Sequence, residues 1–107
     1  MRVVPAKLKP GMAQDWLAAH QRHHTPAVRR QPGFVSKVLM QAEDDPDRVA
    51  MLLVWETAEQ AIAWTKQPEH DEVSRPMAEY AIRDDPGRNA LPRGGYRVLE
   101  MTGKPGA

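Results

Sequence analysis

The sequence predicts a single α+β domain in which a four-stranded antiparallel sheet carries helices on one face. The first observation is the order of its segments, because strand-like and helix-like hydrophobic spacing follow one another as strand, helix, strand, strand, helix, strand. The second is that the strand-like segments are apolar at both alternating positions, so both faces of the sheet need cover. A chain of 107 residues has room for one such domain.

The clearest strand-to-helix transition runs from Val49 to Lys66. Val49–Trp55 is an uninterrupted apolar run, which predicts a central strand. Thr57 can accept a hydrogen bond from a free helical N–H while Gln60 reaches back, the arrangement of a capping box. The helix that follows is expected to bury one face against the sheet, with Trp64 at its flank: Ala58, Ala61, Ile62 and Thr65.

The first strand and helix precede this transition. Arg2–Leu8 is predicted to be an edge strand, because Pro5 has no backbone donor. A helix is predicted over 12–24 with a continuation to about Arg30, since Thr25-Pro26 favours either a kink or a new start with Thr25 as the cap. Its apolar stripe comprises Ala13, Trp16, Leu17, His20, His24, Ala27 and Val28.

Phe34–Gln41 is predicted to be the second strand, paired antiparallel with the central strand across the short acidic turn 42–47. Residues 69–82 are predicted to form irregular helix interrupted near Pro76.

The C-terminal quarter is predicted to contain a mobile loop over 83–95, which is rich in Gly, Pro and charge, and a last strand over 96–101. The domain is therefore expected to span 1–101, with 102–107 as a flexible tail.

Composition excludes several classes of function. Fifteen basic and 14 acidic residues give a net charge of +1, so nothing demands a nucleic acid or an anionic membrane as partner. The absence of cysteine excludes disulfides, thiolate metal sites and a cysteine nucleophile. The N-terminus lacks the apolar core of a signal peptide, which predicts a cytoplasmic protein. No Gly-rich phosphate loop follows a strand, which argues against flavin or nicotinamide.

The segment order corresponds to the split β-α-β, or ferredoxin-like, arrangement βαββαβ, with its helices on one face of the sheet. The opposite face is too apolar for water, and no segment of the chain remains to cover it. We therefore expect a homodimer in which two sheets pack face to face.

Four motifs carry a resemblance to a known family: LKPGM at 8–12, QPGF at 31–34, LLVWETAEQAIAW at 52–64 and YRVLEM at 96–101. In these the chain resembles the antibiotic biosynthesis monooxygenase superfamily, whose members are dimeric α+β barrels. The resemblance implies either cofactor-free oxidation of phenolic or quinol-type rings by dioxygen, or haem degradation. The haem-degrading branch uses a Trp, matched by Trp64, but its His and Asn positions correspond to Ser74 and Val4.

His20 and His24 lie one turn apart on the apolar stripe and are the candidate catalytic bases, because an imidazole near neutrality can take a phenolic proton. Two alternatives stay open: histidines that only border the core, or a shared metal ion for which no third ligand is evident. We predict no metal site. Ligand contacts are expected from Trp64, His70, Phe34 and Met51.

The predicted function is that of a cofactor-independent monooxygenase acting on a small aromatic, phenolic or quinol-like compound. A non-catalytic dimeric module that binds a small apolar ligand is the first alternative. A haem-binding or haem-degrading protein is the second.

Overall fold

A computed structural model describes residues 1–83 and 92–104 of the chain. Its sheet has the strand order β1-β3-β2-β4 with every neighbouring pair antiparallel, so the predicted α+β, ferredoxin-like fold is confirmed. The four strands are β1 (Arg2–Lys7), β2 (Phe34–Ala42), β3 (Arg48–Trp55) and β4 (Tyr96–Gly103). The apolar run that predicts a central strand is β3, which is paired on both sides.

The first helical region is continuous but changes its winding. α1 (Ala13–Ala19) passes into a π-helical turn, His20–His24, and then into α2 (Thr25–Arg29). The Thr25 N–H donates to the His20 carbonyl five residues back, which is the π-helical pattern. Thr25 has helical dihedral angles and is not a cap, so the chain neither breaks nor restarts at Thr25-Pro26. The Thr25-Pro26 pair predicts an irregularity here but does not specify π-helical winding.

Two further helices follow β3, namely α3 (Ala58–Thr65) and α4 (Pro68–Ala78). Thr57 caps α3 as predicted, since its Oγ1 accepts from the Gln60 N–H at 3.2 Å. α4 runs through Pro76, and the interruption predicted there is wrong. The helix ends only two residues later, so the backbone hydrogen bond that proline removes lies in its last turn.

The core lies between the helices and one face of the sheet. One cluster joins α1 and α4 to the sheet, and its buried members are Leu8, Ala13, Trp16, Ala19, Leu39, Val49 and Met77. A second joins α2 and α3 to the sheet, and its buried members are Ala27, Val28, Phe34, Leu53, Trp55 and Trp64. The face predicted for α3 needs correction, because Trp64 is its buried residue while Ile62 is 53% exposed.

The other face of the sheet carries apolar side chains that the described residues leave exposed. Val3 is 48% exposed, Val98 57% and Met101 71%. Val3 pairs with Leu52 and Met101 pairs with Val38, so these side chains share one surface across all four strands.

The C-terminal strand is longer than predicted. Thr102 and Gly103 pair with Lys37 and Ser36 and therefore belong to β4, because the backbone of β2 continues beside them. The predicted tail accordingly loses its first two residues, and residues 105–107 lie outside the described part of the chain. So does most of the predicted mobile loop, at 84–91. Within the described ranges, no helix is long and apolar enough to cross a membrane.

Candidate functional site

A cavity of about 290 Å³ lies between the helices and the sheet, beside β1 and β3. Its outer lining includes Arg2, Val4 and Ala78, which are exposed, so the mouth lies between β1 and α4. The inner wall is largely aromatic, and its rings are Trp16, His20, His24, Trp55, Trp64 and His70. An apolar enclosure with a few polar groups is typical of a small-molecule site.

Five of these rings form a continuous row with edge-to-face contacts. The ring centroids of Trp16 and His20 are 4.6 Å apart, and those of His20 and His24 are 5.3 Å apart. The row continues from His24 to Trp64 at 6.2 Å and from Trp64 to His70 at 5.5 Å. Each contact lies within the range of favourable aromatic pairs, so the rings pack into one continuous wall.

A lysine lies behind this wall. Lys37 is on β2 and is 1% exposed, and its Nζ lies 3.0 Å from His20 Nδ1, 2.7 Å from His24 Nδ1 and 2.7 Å from Thr25 Oγ1. The π-helical turn brings these three partners together, since in a regular α-helix Thr25 would point well away from the face of His20. Lys37 therefore has one partner for each N–H of an ammonium group.

Burial keeps both histidines neutral. Removal from water, and then the charge of Lys37, lower the pKa of His20 to about 2 and the pKa of His24 to about 3. A neutral imidazole whose Nδ1 accepts from an ammonium carries its proton on Nε2. In that state Nε2–H is the ring donor that remains for the cavity.

Burial also disfavours the charged form of Lys37. Burial lowers its pKa to about 7, and Glu100 on β4 opposes that shift with its negative charge. Glu100 accepts hydrogen bonds from Gln21 and Thr102, so it is held in place on the helix-facing side of the sheet. The Lys37 amine and ammonium forms are therefore both accessible near neutral pH.

The same contacts bear on the predicted absence of a metal. Both Nδ1 atoms face Lys37 Nζ, so these two ring nitrogens are already occupied by contacts with the lysine. Across residues 1–83 and 92–104, no three His, Asp, Glu or Cys side chains come together as a metal site.

Trp64 supplies a further polar group. Its ring is 2% exposed and lines the cavity, and its Nε1 has no hydrogen-bond partner within the described residues. A buried donor left unpaired costs about 1–3 kcal/mol. An acceptor atom on a ligand could satisfy it.

The structure brings five of the six predicted site residues to one cavity: His20, His24, Trp64, His70 and Met51. Phe34 is the exception and needs correction. It lies at the start of β2, beside a bulge, and its buried ring packs edge-on against Trp55 at 6.2 Å. It therefore supports the wall and does not line it.

Three residues of the site escape the sequence reasoning, namely Lys37, Trp16 and Trp55. A signal for Lys37 exists in the sequence, because FVSKVLMQ places a lysine at the same strand parity as Leu39, inside an otherwise apolar strand. A charged residue on a buried strand face is rare unless it is paired. Trp16 and Trp55 look like ordinary core residues, and only their position shows that they line the cavity.

All three positions that the haem-degrading branch uses fall on the cavity lining: Val4, Trp64 and Ser74. The three positions therefore agree with those of the haem-degrading branch, but two of the residues do not. The Val4 side chain has no polar atom where that branch has Asn, and Ser74 stands where it has His. His70 has its Nδ1 at 3.0 Å from Asp71 Oδ1. The donor set at these positions does not fit haem.

Comparison with known proteins gives the family. Residues 1–75 match the model of the antibiotic biosynthesis monooxygenase family. A 42.8 kDa protein in the whiE locus of Streptomyces coelicolor is 34% identical over 74 residues, which are 69% of this chain and 18% of that protein. Protein SchA of Streptomyces halstedii is 30% identical over 78 residues, which are 73% of this chain and 20% of that protein. The chain thus spans about a fifth of the length of either relative.

The solved structure of a proposed antibiotic biosynthesis monooxygenase from Nitrosomonas europaea has the same fold. It superposes with a TM-score of 0.62 at 19% identity, covering 94% of this chain and 93% of that one. Because the family model covers residues 1–75, well over half of the 107 residues, this chain belongs to the antibiotic biosynthesis monooxygenase family.

Proposed function

We propose that this member of the family is a cofactor-independent monooxygenase that oxidises a small aromatic compound of phenolic or quinol type with dioxygen. The observation that carries the proposal is the wall of the cavity. The wall combines the indole rings of Trp16, Trp55 and Trp64 with the imidazole rings of His20 and His24. One hydroxyl-bearing aromatic ring in the cavity could therefore contact an indole and an imidazole at once. Flat rings pack well against indole, and imidazole N–H groups suit an oxygen atom.

The size of the cavity limits the substrate. A cavity of about 150 Å³ holds benzene. One of about 290 Å³ therefore holds about two fused rings. Deprotonation of a hydroxyl on such a ring makes an electron-rich anion, which can pass one electron to dioxygen far more readily than the neutral molecule can.

The chain's residues would act on that first step. His20 and His24 would hold the ring oxygen through Nε2–H, and Trp64 would contact the ring face or donate from Nε1. Stabilising the oxyanion in this largely apolar cavity favours loss of the proton, because each donor is already oriented.

We further propose that the exposed apolar face of the sheet is covered by a second copy of the chain. Support comes from the exposure of Val3, Val98 and Met101, which lie together on that face. A surface of this kind on an isolated chain is unfavourable in water. A two-fold dimer would bury each copy of it against the other.

The monooxygenase proposal is tested with an oxygen electrode and a panel of naphthohydroquinones and naphthols. We expect oxygen uptake that saturates with substrate. By mass spectrometry the product should have gained one oxygen atom and lost two hydrogen atoms, because the substrate supplies both electrons and the second oxygen atom leaves as water. His24→Gln should abolish most of the uptake, whereas His23→Gln, on the exposed neighbour, should leave it unchanged. If no member of the panel stimulates uptake, or if both variants behave alike, the proposal fails.

One observation favours the binding-module alternative. His20 and His24 are held neutral by burial, and neither ring holds a second proton at neutral pH. In that case the same panel would bind saturably with no oxygen uptake, and His24→Gln would lower affinity only for compounds that bear a hydroxyl. Isothermal titration of naphthol and of naphthalene measures the binding, and oxygen uptake by the same samples separates the two functions.

A further inference from the structure

The protonation state of Lys37 decides which ring nitrogens of the two histidines carry a proton. With Lys37 as an ammonium, its three N–H groups meet three acceptors at 2.7–3.0 Å, and both imidazoles present Nε2–H to the cavity. With Lys37 as an amine, Nζ has two N–H groups and one lone pair. One of its three neighbours must then donate to that lone pair.

Two kinds of neighbour can donate, the Thr25 hydroxyl and an imidazole Nδ1–H. When His24 donates, its ring is the Nδ1–H tautomer, and its Nε2 becomes an acceptor. His24 is the better placed of the two histidines, because its Nδ1 lies 2.7 Å from Nζ and its ring contacts Trp64. The change of tautomer thus converts a donor at the cavity into a base.

We propose that Lys37 is the proton acceptor of this site and that His24 carries the proton to it, receiving one proton at Nε2 while releasing another from Nδ1. The inference rests on the proposed function, whose proton-transfer step it describes. In this step the O–H bond of the substrate breaks and an Nε2–H bond forms. The Nδ1–H bond breaks and an Nζ–H bond forms, leaving a substrate oxyanion and a Lys37 ammonium.

The relay explains how a buried imidazole can serve in base catalysis. His24 stays neutral at the start and at the end, so the imidazolium that burial disfavours need not persist. The product state also has Nε2–H directed at the new oxyanion, so the proton that has been taken stabilises the charge it leaves behind.

Other groups around Lys37 set the pH at which the relay is ready. His20 and His24 face it from the π-helical turn, and Glu100 faces it from β4. His70, on α4, affects His24 from the other side of the wall. Of these, Glu100 stabilises the ammonium, while the two neutral imidazoles and the Thr25 hydroxyl accept its hydrogen bonds.

The direct test is nitrogen-15 NMR of the histidine rings in the wild-type protein between pH 5 and 9. Long-range proton–nitrogen couplings distinguish the two neutral tautomers and the imidazolium, and His20→Gln, His23→Gln and His70→Gln variants assign the signals of the four histidines. We expect His20 and His24 as Nε2–H tautomers below pH 6, and growth of the Nδ1–H tautomer of His24 as Lys37 loses its proton. If both rings remain Nε2–H throughout, or if His24 forms an imidazolium above pH 5, the relay is overturned.

Thr25→Val is the matched variant, because it removes the hydroxyl that competes with His24 as the donor to Nζ. It should raise the fraction of the Nδ1–H tautomer at high pH, or leave it unchanged if His24 is already the sole donor. A fall in that fraction would contradict the proposal. Lys37→Met should keep His24 in one tautomer across the whole pH range.

A binding measurement connects the relay to substrate chemistry without turnover. 4-Nitro-1-naphthol changes colour on ionisation, and its pKa when bound to the wild type should fall by at least about one unit, a tenfold preference for the anion. Lys37→Met should remove that shift while 1-nitronaphthalene, which has no hydroxyl, binds as before. A bound ligand that ionises no earlier than the free one, or no binding at all, would overturn the proposal.

The two proposals fail in different ways. A tautomer change and a shifted ligand pKa without oxygen uptake would remove the monooxygenase and keep the relay. Oxygen uptake with His24 fixed as Nε2–H would remove the relay and keep the monooxygenase.

Discussion

Acid should destabilise this protein well above the pH at which its carboxylates protonate, because two buried histidines cannot accept protons in the folded state. His20 and His24 have ordinary pKa values of 6.5 when unfolded, and burial beside Lys37 lowers them to about 2 and about 3 in the folded chain. Between these limits the unfolded state binds more protons, so stability is lost as the pH falls through 6.5.

The loss can be calculated for pH 5.0. That pH is 1.5 units below the unfolded pKa of each histidine, and one unit corresponds to about 1.36 kcal/mol, so each costs about 2 kcal/mol. The pair together costs about 4 kcal/mol, a large part of the 5–15 kcal/mol typical of a domain. Both folded pKa values lie far below 5.0, so the result depends on the unfolded value and hardly on the extent of the shift.

Urea unfolding followed by tryptophan fluorescence, at pH 7.0 and 5.0 and at one protein concentration, measures the loss. His24→Gln should reduce it to about 2 kcal/mol, because only one buried imidazole then remains. His23→Gln is the control, since His23 is exposed and should leave the loss unchanged. A wild-type difference below about 1 kcal/mol would refute the reasoning, for it would mean that the rings accept protons without unfolding.

Three further perturbations test the surroundings of the site and the sheet. Burial lowers the pKa of Lys37 from 10.5 to about 7, so between those pH values the unfolded chain binds a proton that the folded chain does not. The free energy of unfolding should therefore rise by about 2 to 3 kcal/mol from pH 7.5 to 9.5. In urea titrations, Lys37→Met should abolish that rise. Thr25→Val should lower the free energy of unfolding by about 1–3 kcal/mol at pH 6, because the Lys37 ammonium loses a buried acceptor. The control Thr65→Val, at a partly exposed residue, should lower it by under about 0.5 kcal/mol in the same titrations. Val98→Lys with Met101→Lys should convert the proposed dimer to monomers in sedimentation velocity, and a wild type that is monomeric at micromolar concentration would refute that interface.

Much of the fold could be predicted because local signals and hydrophobic period agree. The apolar run ending at Trp55 and the Thr57 cap identify β3 and the start of α3, and both are present in the structure. The Pro76 interruption fails because the cost of a proline depends on how much helix follows it, which a local signal does not show. Ile62 and Trp64 compete for the buried face of α3, and packing against α2 and β3 turns Trp64 inward.

The candidate site likewise has features that local sequence signals predict and features that only tertiary packing decides. The sequence by itself determines that imidazoles lie one turn apart on an apolar helix stripe and that Trp64 follows the central strand, because hydrophobic spacing is local. Only the tertiary structure decides that Lys37 meets both histidines. The two contacts span 13 and 17 residues of chain, and they depend on a π-helical turn that the Thr25-Pro26 pair does not specify. The contact changes the chemistry, because burial keeps His20 and His24 neutral while both Nδ1 atoms face Lys37, which leaves the proton balance of the site to a lysine on β2.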